Sequence, residues 1–380
     1  MNIPKLRFKE FNDEWQKKTL KSVSSYFKSG KSIKSNDILK NAPYPVYGGN
    51  GLRGYTNTFN FDGNASLIGR QGALCGNVTY VKGKNYMTEH AVIVQSNYDN
   101  YNKFLFYILL SMNLNQYSTQ SAQPGLSVNK LLELFNYFPN IQEQEKIAKF
   151  LTTVDKKITN LENIITNLEN QKKGLLQQIF SQKLRFKDKN GNNYPNWEKK
   201  QLSEYVFIYD GTHQTPKYTN GGIKFVSVEN INNLSGTNKF ISEKDFLKEF
   251  KNIPEKNDIL MTRIGDVGTA TLITQNEPLA YYVSLALFKQ KKSIHMPFLL
   301  HYISTIYFQH ELWKRTLHIA FPKKINKNEI GKCNLLVPCL EEQTKIANFL
   351  SAFDRKLENQ KAQLEHWKQI KKGLLQQMFI

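Results

Sequence analysis

Short glycine-containing segments rich in Arg, Asn and Gln are the parts of this sequence best suited to contact a ligand. They are YGGNGLRGYTN (47–57), GRQGALCGN (69–77), YDGTHQTPKYTNGG (209–222), TRIGDVG (262–268) and FPKKINKN (321–328). Glycine lets a backbone approach a ligand closely. Arg, Asn and Gln have forked polar ends that pair with the edges of guanine and adenine. The five segments therefore have the residue types of loops that contact nucleotide bases.

The charge of the chain indicates the class of ligand. Lys and Arg number 52 against 32 Asp and Glu, which gives a formal net charge of +20. An excess of this size favours a polyanionic partner, with nucleic acid first and an anionic membrane second. No apolar run approaches the roughly 18 residues of a membrane helix, and the N-terminus MNIPKLRFKEFNDEW lacks the apolar core of a secretion signal. We therefore expect a cytoplasmic protein that binds nucleic acid.

The side chains that we predict to contact bases come from the five segments. They are Arg53, Arg70, Gln71, Gln214, Arg263 and Lys324. For any one of them, a solvated loop residue is the simpler interpretation. The prediction rests on their occurrence as a set in a chain of charge +20.

The sequence lacks the spacing patterns of common catalytic and metal sites. Cys75, Cys333 and Cys339 form no C-x-x-C pair, and the seven histidines form no H-x-x-x-H or H-E-x-x-H pair. GGNG (48–51) is not followed by the Lys-Ser/Thr of a P-loop, and no G-x-S-x-G occurs. We therefore predict buried cysteines, no metal, no catalytic residue and no cofactor in a chain that binds without catalysing.

Strand-like and helix-like segments that would carry these loops occur in both halves. The strand-like runs are YPVYG (44–48), ASLIG (65–69), VTYVK (78–82), AVIVQ (91–95), IKFVSV (223–228), DILMT (258–262), ATLIT (270–274) and YVSLALF (282–288). Helices are predicted over 102–117, 127–134, 297–317 and 327–331. Each half is thus predicted to contain a mixed α/β (α+β) domain of roughly 130 residues.

The two halves contain an internal repeat. KKGLLQQIF (172–180) returns as KKGLLQQMF (371–379), and FPNIQEQEKIAKFLTTVDKKI (138–158) aligns without gaps with VPCLEEQTKIANFLSAFDRKL (337–357). PKLRFKEFNDEW, which begins at residue 4, also resembles QKLRFKDKNGNNYPNW, which begins at residue 182. The chain is therefore two dissimilar domains, each followed by a similar segment.

Apolar residues in the repeated segments follow a strict four-three spacing, which is the seam of a coiled coil. The seam residues are Ile147, Leu151, Val154, Ile158, Leu161, Ile165 and Leu168 in the first copy, and Ile346, Leu350, Phe353, Leu357, Leu364 and Trp367 in the second. Lys172 and Lys371 interrupt the two seams at equivalent positions. A polar seam residue weakens packing and can fix register.

Two helices of about 39 residues, each roughly 58 Å long, need a partner, and the simplest partner for each is the other. Each helix leads by a short link into the opposite domain, so we predict an antiparallel coiled coil with the two domains in pseudo-two-fold arrangement. The predicted boundaries are 1–140 for the first domain, 141–181 for its helix, 182–339 for the second domain and 340–380 for its helix. The alternative is a plain amphipathic helix packed on its own domain.

The combined motifs resemble one protein family over essentially the whole chain. They are LRF followed by Trp15 or Trp197, PVYGGNGLRGY, NDILMTRIGDVG, and P-x-x-x-E-Q-x-K-I-A-x-F-L followed by KKGLLQQ. The sequence resembles the specificity (S) subunit of type I DNA restriction-modification systems. No single motif is specific, but the combination is.

The resemblance implies a function and a set of partners. Each dissimilar domain would be a target recognition domain that reads one half of an asymmetric, bipartite DNA site, and the helices would set the spacing between the halves. Two methyltransferase (M) subunits would dock on the repeated helices. S-adenosylmethionine would bind those subunits, so this chain would need no cofactor. The resemblance leaves open whether restriction (R) subunits join the complex.

Two other functions fit parts of the sequence. A non-catalytic coiled-coil adaptor or scaffold without DNA sequence readout would need neither the excess charge nor the Gly-Arg loops. A self-sufficient DNA methyltransferase would need a cofactor loop, and the sequence lacks one.

Overall fold

The computed structural model describes residues 3–72, 74–119 and 124–380. Contacts divide the chain into two compact units. The first unit contains residues 1–163 and 361–380, and the second contains residues 164–360. The four-part division predicted from the sequence remains a prediction, because the units divide both long helices between them.

The first unit combines antiparallel and mixed sheets with short helices. Its strands are β1 (Gln16–Thr19), β2 (Ser24–Ser29), β3 (Tyr44–Gly48), β4 (Gly51–Thr56), β5 (Phe61–Asp62), β6 (Ala65–Gly69), β7 (Val78–Val81), β8 (Lys84–Met87), β9 (Ala91–Ser96) and β10 (Phe135–Phe138). Its helices are α1 (Leu20–Val23), α2 (Asn102–Ser111), α3 (Val128–Glu133) and the start of α4 (Ile141–Phe180). The sheet orders are β2-β9-β6-β7, β4-β3-β8-β5 and β1-β10.

The second unit repeats much of this plan. Its strands are β11 (Glu198–Gln201), β12 (Val206–Asp210), β13 (Tyr218–Thr219), β14 (Ile223–Val226), β15 (Phe240–Ile241), β16 (Ile259–Ile264), β17 (Asp266–Leu272), β18 (Leu279–Tyr281), β19 (Leu285–Gln290) and β20 (Asn334–Val337). Its helices are α5 (Leu202–Tyr205), α6 (Glu243–Glu249), α7 (Met296–Ile303), α8 (Ile306–Arg315), α9 (Lys327–Gly331) and the start of α10 (Leu340–Met378).

The sheets show which parts of the two units are alike. The orders β12-β19-β16-β17 and β11-β20 match β2-β9-β6-β7 and β1-β10 strand for strand. The remaining sheet differs, because β13-β15-β14-β18 includes strands on either side of a long insertion that contains α6, whereas β4-β3-β8-β5 is built on a tight hairpin. The mixed α/β fold predicted from the sequence is therefore confirmed in both units.

The helix predicted over 297–317 is two helices. α7 ends at Ile303 and α8 begins at Ile306. Thr305 between them is extended, with φ −75° and ψ 151°, and its hydroxyl accepts a hydrogen bond from the Phe308 backbone N–H. A Thr that caps a new helix interrupts the previous one, because its own backbone leaves the helical conformation.

The last residue of each repeated motif is a phenylalanine that enters a core. In the first unit, the Phe379 ring lies 6.4 Å from the Trp15 ring. In the second unit, the Phe180 ring lies 6.0 Å from the Trp197 ring. Both contacts are edge-to-face, and all four side chains are buried. The repeated LRF…W motif and the repeated KKGLLQQ-x-F motif therefore build the same aromatic contact in each unit.

A buried ion pair joins two other repeated motifs. The Arg7 guanidinium donates two hydrogen bonds of 2.8 Å to Glu143, and Arg185 contacts both carboxylate oxygens of Glu342 at 2.8 Å. Both glutamates are fully buried. A bidentate arginine satisfies a carboxylate in such a position. The LRF and E-Q motifs are thus structural partners.

The glutamine of each E-Q motif holds the start of a core helix. Gln144 Oε1 accepts from the Tyr101 backbone N–H at 2.9 Å, and Gln343 Oε1 accepts from the His295 backbone N–H at 2.8 Å. Tyr101 and His295 are the N-cap residues of α2 and α7. These bonds link the start of each long helix to the core of its unit.

In the first unit, the start of α4 pairs with the end of α10. Lys371 Nζ lies 2.7 Å from Asp155 Oδ1, and Lys368 Nζ lies 3.1 Å from Glu162 Oε1. Residue numbers rise along one helix as they fall along the other, so the pairing is antiparallel. Burial raises the pKa of Tyr107, whose hydroxyl donates to Asp155 Oδ2 at 2.7 Å.

In the second unit, the end of α4 pairs with the start of α10 through the equivalent residues. Lys172 forms an ion pair with Asp354. His301 Nδ1 lies 3.8 Å from Asp354 Oδ2, and Nε2 lies 3.2 Å from Ser351 Oγ. Burial lowers the pKa of His301 to about 4, so its imidazole is neutral at pH 7. The two polar seam residues therefore each have an ionic partner on the other helix.

The seam residues differ in burial. The buried ones are Ile147, Leu151, Val154, Leu161, Ile165, Leu168, Ile346 and Leu350. The half-buried ones are Ile158, Phe353, Leu357, Leu364 and Trp367. The seam of α4 is thus more fully covered than the middle of α10.

We expect Lys371→Asp to lower the free energy of unfolding by about 1–3 kcal/mol, because it places a carboxylate beside Asp155 in the partly buried seam. Adding Asp155→Lys should recover part of this loss by restoring opposite charges in the same register. Urea denaturation of the single and double variants measures the coupling. Lys368→Glu is the control, since its pair with Glu162 is half exposed and should change stability by no more than about 1 kcal/mol. Equal stability of Lys371→Asp and wild type would contradict the role of this pair in register.

Candidate nucleic-acid interface

Glycine contacts bring two loops of the first unit together. A Cβ atom added to Gly69, at the end of β6, would lie 2.2 Å from the Gly49 carbonyl oxygen in the β3–β4 turn. A Cβ atom on Gly49 would lie 3.2 Å from the Gln71 carbonyl oxygen. Larger residues would separate these backbones. The β3–β4 turn and the segment that follows β6 therefore lie against each other.

Arg70 fastens a third segment to this surface. Its Nε donates to the Leu126 carbonyl oxygen at 3.1 Å, and its Nη1 donates to Ser29 Oγ at 3.2 Å. The backbone adds two bonds of 2.9 Å, from Leu126 N–H to the Arg70 carbonyl and from Arg70 N–H to the His90 carbonyl. Arg70 thus joins β2, the end of β6 and the segment that returns from the core helices.

Arg263 makes the equivalent set of bonds in the second unit. Its Nε donates to the Ile325 carbonyl at 3.1 Å, and Ile325 N–H donates to the Arg263 carbonyl at 3.0 Å. Its Nη1 donates to Asp210 Oδ1 at 2.5 Å and to the Val283 carbonyl at 3.3 Å. Asp210 occupies the position of Ser29, at the end of the first strand of the sheet. The two arginines therefore have the same structural role, one in each unit.

These contacts change the interpretation of one predicted base-contacting residue. Arg263 is only 6% exposed and its guanidinium is engaged by Asp210 and two carbonyl groups. A guanidinium committed in this way has few donors left for a base, so Arg263 positions the loop. Arg70 is half-buried and bonds one carbonyl and one hydroxyl through its side chain, so its base contact stays a prediction.

The other four predicted residues are exposed and stay predictions. Arg53 lies on β4, and its Cδ would lie 2.7 Å from a Cβ atom added to Gly48. Gln71 follows β6 and pairs through its backbone with Gly125. In the second unit, Gln214 lies in the loop after β12, and Lys324 pairs through its backbone with both Ile264 and Leu317. The structure brings Arg53 and Gln71 to one surface, whereas Arg263 holds the segment that carries Lys324.

The sequence analysis missed two exposed apolar residues beside Lys324. Ile319 and Phe321 have fully exposed side chains, at 100% and 104%. They lie in the segment between α8 and Ile325 that Arg263 fastens. The available signal was an apolar pair followed by two lysines, HIAFPKK (318–324), directly after a helix.

Other groups of chemical interest are buried or dispersed. Burial raises the pKa of Cys333 to about 12 and also raises the pKa of Cys75, so both remain thiols. Across residues 3–72, 74–119 and 124–380, no three His, Cys, Asp or Glu side chains are placed to hold a metal ion. Over the same ranges, no helix is long and apolar enough to cross a membrane.

Comparison with protein families gives a match in both halves of the chain. The family described as "Type I restriction modification DNA specificity domain" matches residues 12–170 and 194–366. The two matched segments together cover more than half of the chain.

Individual relatives carry the same description. The EcoprrI specificity subunit of a type I restriction enzyme from Escherichia coli is 45% identical over 154 residues, which span 40% of this chain and 38% of that relative. The MjaVIII specificity subunit from Methanocaldococcus jannaschii is 24% identical over 334 residues, which span 81% of this chain and 74% of that relative. The match to the Escherichia coli subunit therefore covers well under half of either protein.

Solved structures share the fold. The S subunit of a type I restriction-modification system from M. genitalium superposes with a TM-score of 0.71 at 19% identity, covering 100% of this chain and 99% of that one. A chain from a study of complex assembly and conformational transition of the type I R-M system has a TM-score of 0.55 at 14% identity, covering 96% and 97%.

We expect Arg263→Gln to lower the free energy of unfolding by about 2–4 kcal/mol, because it leaves the Asp210 carboxylate without its main partner. Lys327, 3.7 Å from Asp210, compensates only in part. Arg53→Gln, at an exposed site, should change the same quantity by less than about 0.5 kcal/mol. Chemical denaturation of both variants checks the contrast. If Arg263→Gln were as stable as Arg53→Gln, the positioning role would be wrong.

Proposed function

Because the chain belongs to the type I restriction-modification DNA specificity domain family, we propose that it selects the DNA sequence on which a type I restriction-modification complex acts. The observation that carries the proposal is that one arginine in each unit, here called the arginine clamp, binds the segment that follows the core helices. Arg70 and Arg263 hold equivalent segments by equivalent bonds, yet the residues presented around them differ between the units. Two domains that bind different DNA sequences would need the same framework with different exposed loops.

The chemistry of the exposed loops supports DNA as the ligand. A net charge of +20 supplies phosphate contacts, which give most of the affinity and make it depend on salt. Arg53 and Gln71 in the first unit, and Gln214 and Lys324 in the second, have side chains that can donate to base edges in the major groove. Since these pairs differ in type and setting, each unit would prefer a different half-site. The whole site would therefore be asymmetric and bipartite, with half-sites about one DNA turn apart.

The repeated helices would bind the partner subunits. Lys173, Gln177 and Gln178 on α4 are exposed, as are the equivalent Lys372, Gln376 and Gln377 on α10. Two equal surfaces predict two copies of one partner. For the family these would be methyltransferase subunits, which would bind S-adenosylmethionine and carry out methyl transfer, while this chain would be non-catalytic and hold no cofactor of its own.

Two glycines mark where such a partner would approach. Gly174 and Gly373 lie inside α4 and α10, where glycine is less favourable than alanine by about 1 kcal/mol. Apart from the two neighbouring residues and the nearby backbone of the same helix, no atom in the part of the chain that the structure describes lies within 4 Å of a Cβ atom built on either residue. The chain's own packing therefore gives no reason for glycine at either position. Close approach of a partner's backbone would supply the reason in both places.

The function can be tested by mapping DNA methylation. We would co-express the chain with a type I methyltransferase subunit and locate methylated adenines across a genome by single-molecule sequencing. The expected result is one asymmetric bipartite motif. Gln71→Ala should relax one half of the motif and Gln214→Ala the other, because each removes a base contact from one reader. Tyr98→Ala, at a 94% exposed aromatic outside the loops, should change neither half. A complex that assembles but leaves no motif would favour the scaffold alternative.

A second prediction concerns partner docking. Gly174→Ala together with Gly373→Ala should raise the free energy of unfolding of the isolated chain by up to about 1 kcal/mol per site, since alanine favours the helix. The same variant should bind the methyltransferase subunit more weakly in titration calorimetry, because the added methyl groups occupy the contact surface. Lys157→Ala, on an exposed position of α4 outside the KKGLLQQ motif, serves as the matched control. Stronger or unchanged partner binding by the glycine variant would contradict this docking surface.

A further inference from the structure

The second unit exposes an apolar tip that its packing does not explain. The segment 317–324, here called the tip loop, closes on itself where Leu317 N–H donates to the Lys324 carbonyl at 2.8 Å. Between these residues, Ile319 and Phe321 are the most exposed large apolar side chains of the described chain, at 100% and 104%. Water normally drives such side chains into a core. Their exposure therefore indicates a partner that covers them.

The tip loop is held firmly at its base. Gly265 N–H donates to the Lys323 carbonyl at 2.7 Å, and Ile325 N–H donates to the Arg263 carbonyl at 3.0 Å. Gly265 lies at the turn between β16 and β17 and has φ 81°, a conformation that favours glycine. Arg263 adds its side-chain bond to the Ile325 carbonyl. The tip loop is thus fixed at its base by the buried Arg263 and by backbone hydrogen bonds.

The charge beside the tip indicates the chemistry of the partner. Residues 313–328, WKRTLHIAFPKKINKN, contain five Lys or Arg and no Asp or Glu. Lys323 and Lys324 follow Phe321 after one proline, and both are exposed. A partner that covers Phe321 must therefore offer negative charge next to an apolar interior. Double-stranded DNA has this arrangement, with phosphates outside and stacked bases within.

The equivalent segment of the first unit lacks these features. Leu126 N–H donates to the Arg70 carbonyl as Ile325 N–H donates to the Arg263 carbonyl, which aligns the two segments. The counterpart of the tip loop is TQSAQPG (119–125), a sequence without an aromatic residue, Lys or Arg. Residues 120–123 lie outside the described residues, so the comparison rests on their sequence alone. The apolar tip is a property of the second unit.

We propose that the tip loop is a wedge that inserts Phe321 between base pairs of the half-site read by the second unit, while Lys323 binds a flanking phosphate. Insertion of an apolar side chain unstacks one base step and distorts the duplex locally. The second unit would then select its half-site partly by how easily that step opens, in addition to base contacts. The first unit would read an undistorted duplex. This inference rests on the proposed function.

The test compares Phe321→Ser with Phe321→Leu in the complex with the methyltransferase subunit. The DNA is a duplex of the mapped motif, with 2-aminopurine placed in turn at each non-target position of the second unit's half-site. Wild type should raise the fluorescence at one step, because unstacking relieves quenching. Phe321→Ser should remove that signal and weaken binding about tenfold, whereas Phe321→Leu, which remains apolar, should keep most of both. Since the side chain is fully exposed, both variants should fold as wild type does.

Controls separate this inference from the function on which it rests. A 2-aminopurine at the methylated adenine reports base flipping by the methyltransferase subunit, and that signal should survive in Phe321→Ser. Tyr98→Ala, an exposed aromatic of the first unit, should leave both signals unchanged. Lys323→Gln should reduce the slope of log affinity against log salt by about 1.

Two outcomes would overturn the wedge. Phe321→Ser could bind the motif with wild-type affinity and keep the fluorescence signal at the non-target step. Alternatively, Phe321→Ser could fail to assemble with the methyltransferase subunit, which would make the tip loop a protein-docking surface. Absence of any DNA motif for the wild-type complex would instead contradict the proposed function itself.

Discussion

The pairing of a seam lysine on one long helix with an aspartate on the other is the interaction on which the remaining structure depends. Asp155 and Asp354 stand at equivalent positions of the repeat, and so do Lys371 and Lys172. Each repeat contributes one Asp and one Lys. Because the helices run antiparallel within each unit, the Asp of each repeat pairs with the Lys of the other repeat. In each copy the lysine precedes by eight residues the phenylalanine that enters the core. Register and core packing are therefore fixed by the same short segment.

The repeated residues mostly hold the structure, and the unlike residues lie where we propose that DNA binds. Arg7 with Glu143 and Arg185 with Glu342 join the start of each half to its long helix. Arg70 and Arg263 extend this common framework to the edge of a sheet in each unit. Beyond that edge the sequences of the two units differ. The first unit has a tight glycine hairpin that carries Arg53, whereas the second unit has a longer insertion and the apolar tip loop. Under the proposed function, this divergence at the end of a common framework would let the two units bind different sequences without changing how the chain folds.

Some of this architecture could be predicted from the sequence because it depends on regular patterns. The four-three spacing predicted two helices of about 39 residues, and the structure has α4 over Ile141–Phe180 and α10 over Leu340–Met378. Strand β6 was predicted with its observed bounds, because its five consecutive residues are small or apolar. All five are buried in the structure. By contrast, β1 is QKKT, which has no strand pattern of its own and becomes a strand by pairing with β10.

The candidate site was harder to predict for a physical reason. An arginine beside a glycine looks the same in sequence whether its guanidinium faces solvent or a carbonyl far along the chain. Arg263 reaches the carbonyl of Ile325, 62 residues later, and Asp210, 53 residues earlier. Such pairings depend on the folded topology, so no local motif reports them. Phe321 was missed for the opposite reason, because an apolar residue in sequence is normally expected to be buried.

A hydroxyl-radical footprint of the methyltransferase complex on its mapped motif would test most directly whether one frame carries two unlike readers. The account predicts two protected patches on the DNA, one over each half-site, with a gap of unread bases between them. It also predicts that loop variants of one unit weaken protection of one patch only. A single continuous patch, or equal loss of both patches when one unit's loops are altered, would contradict the account.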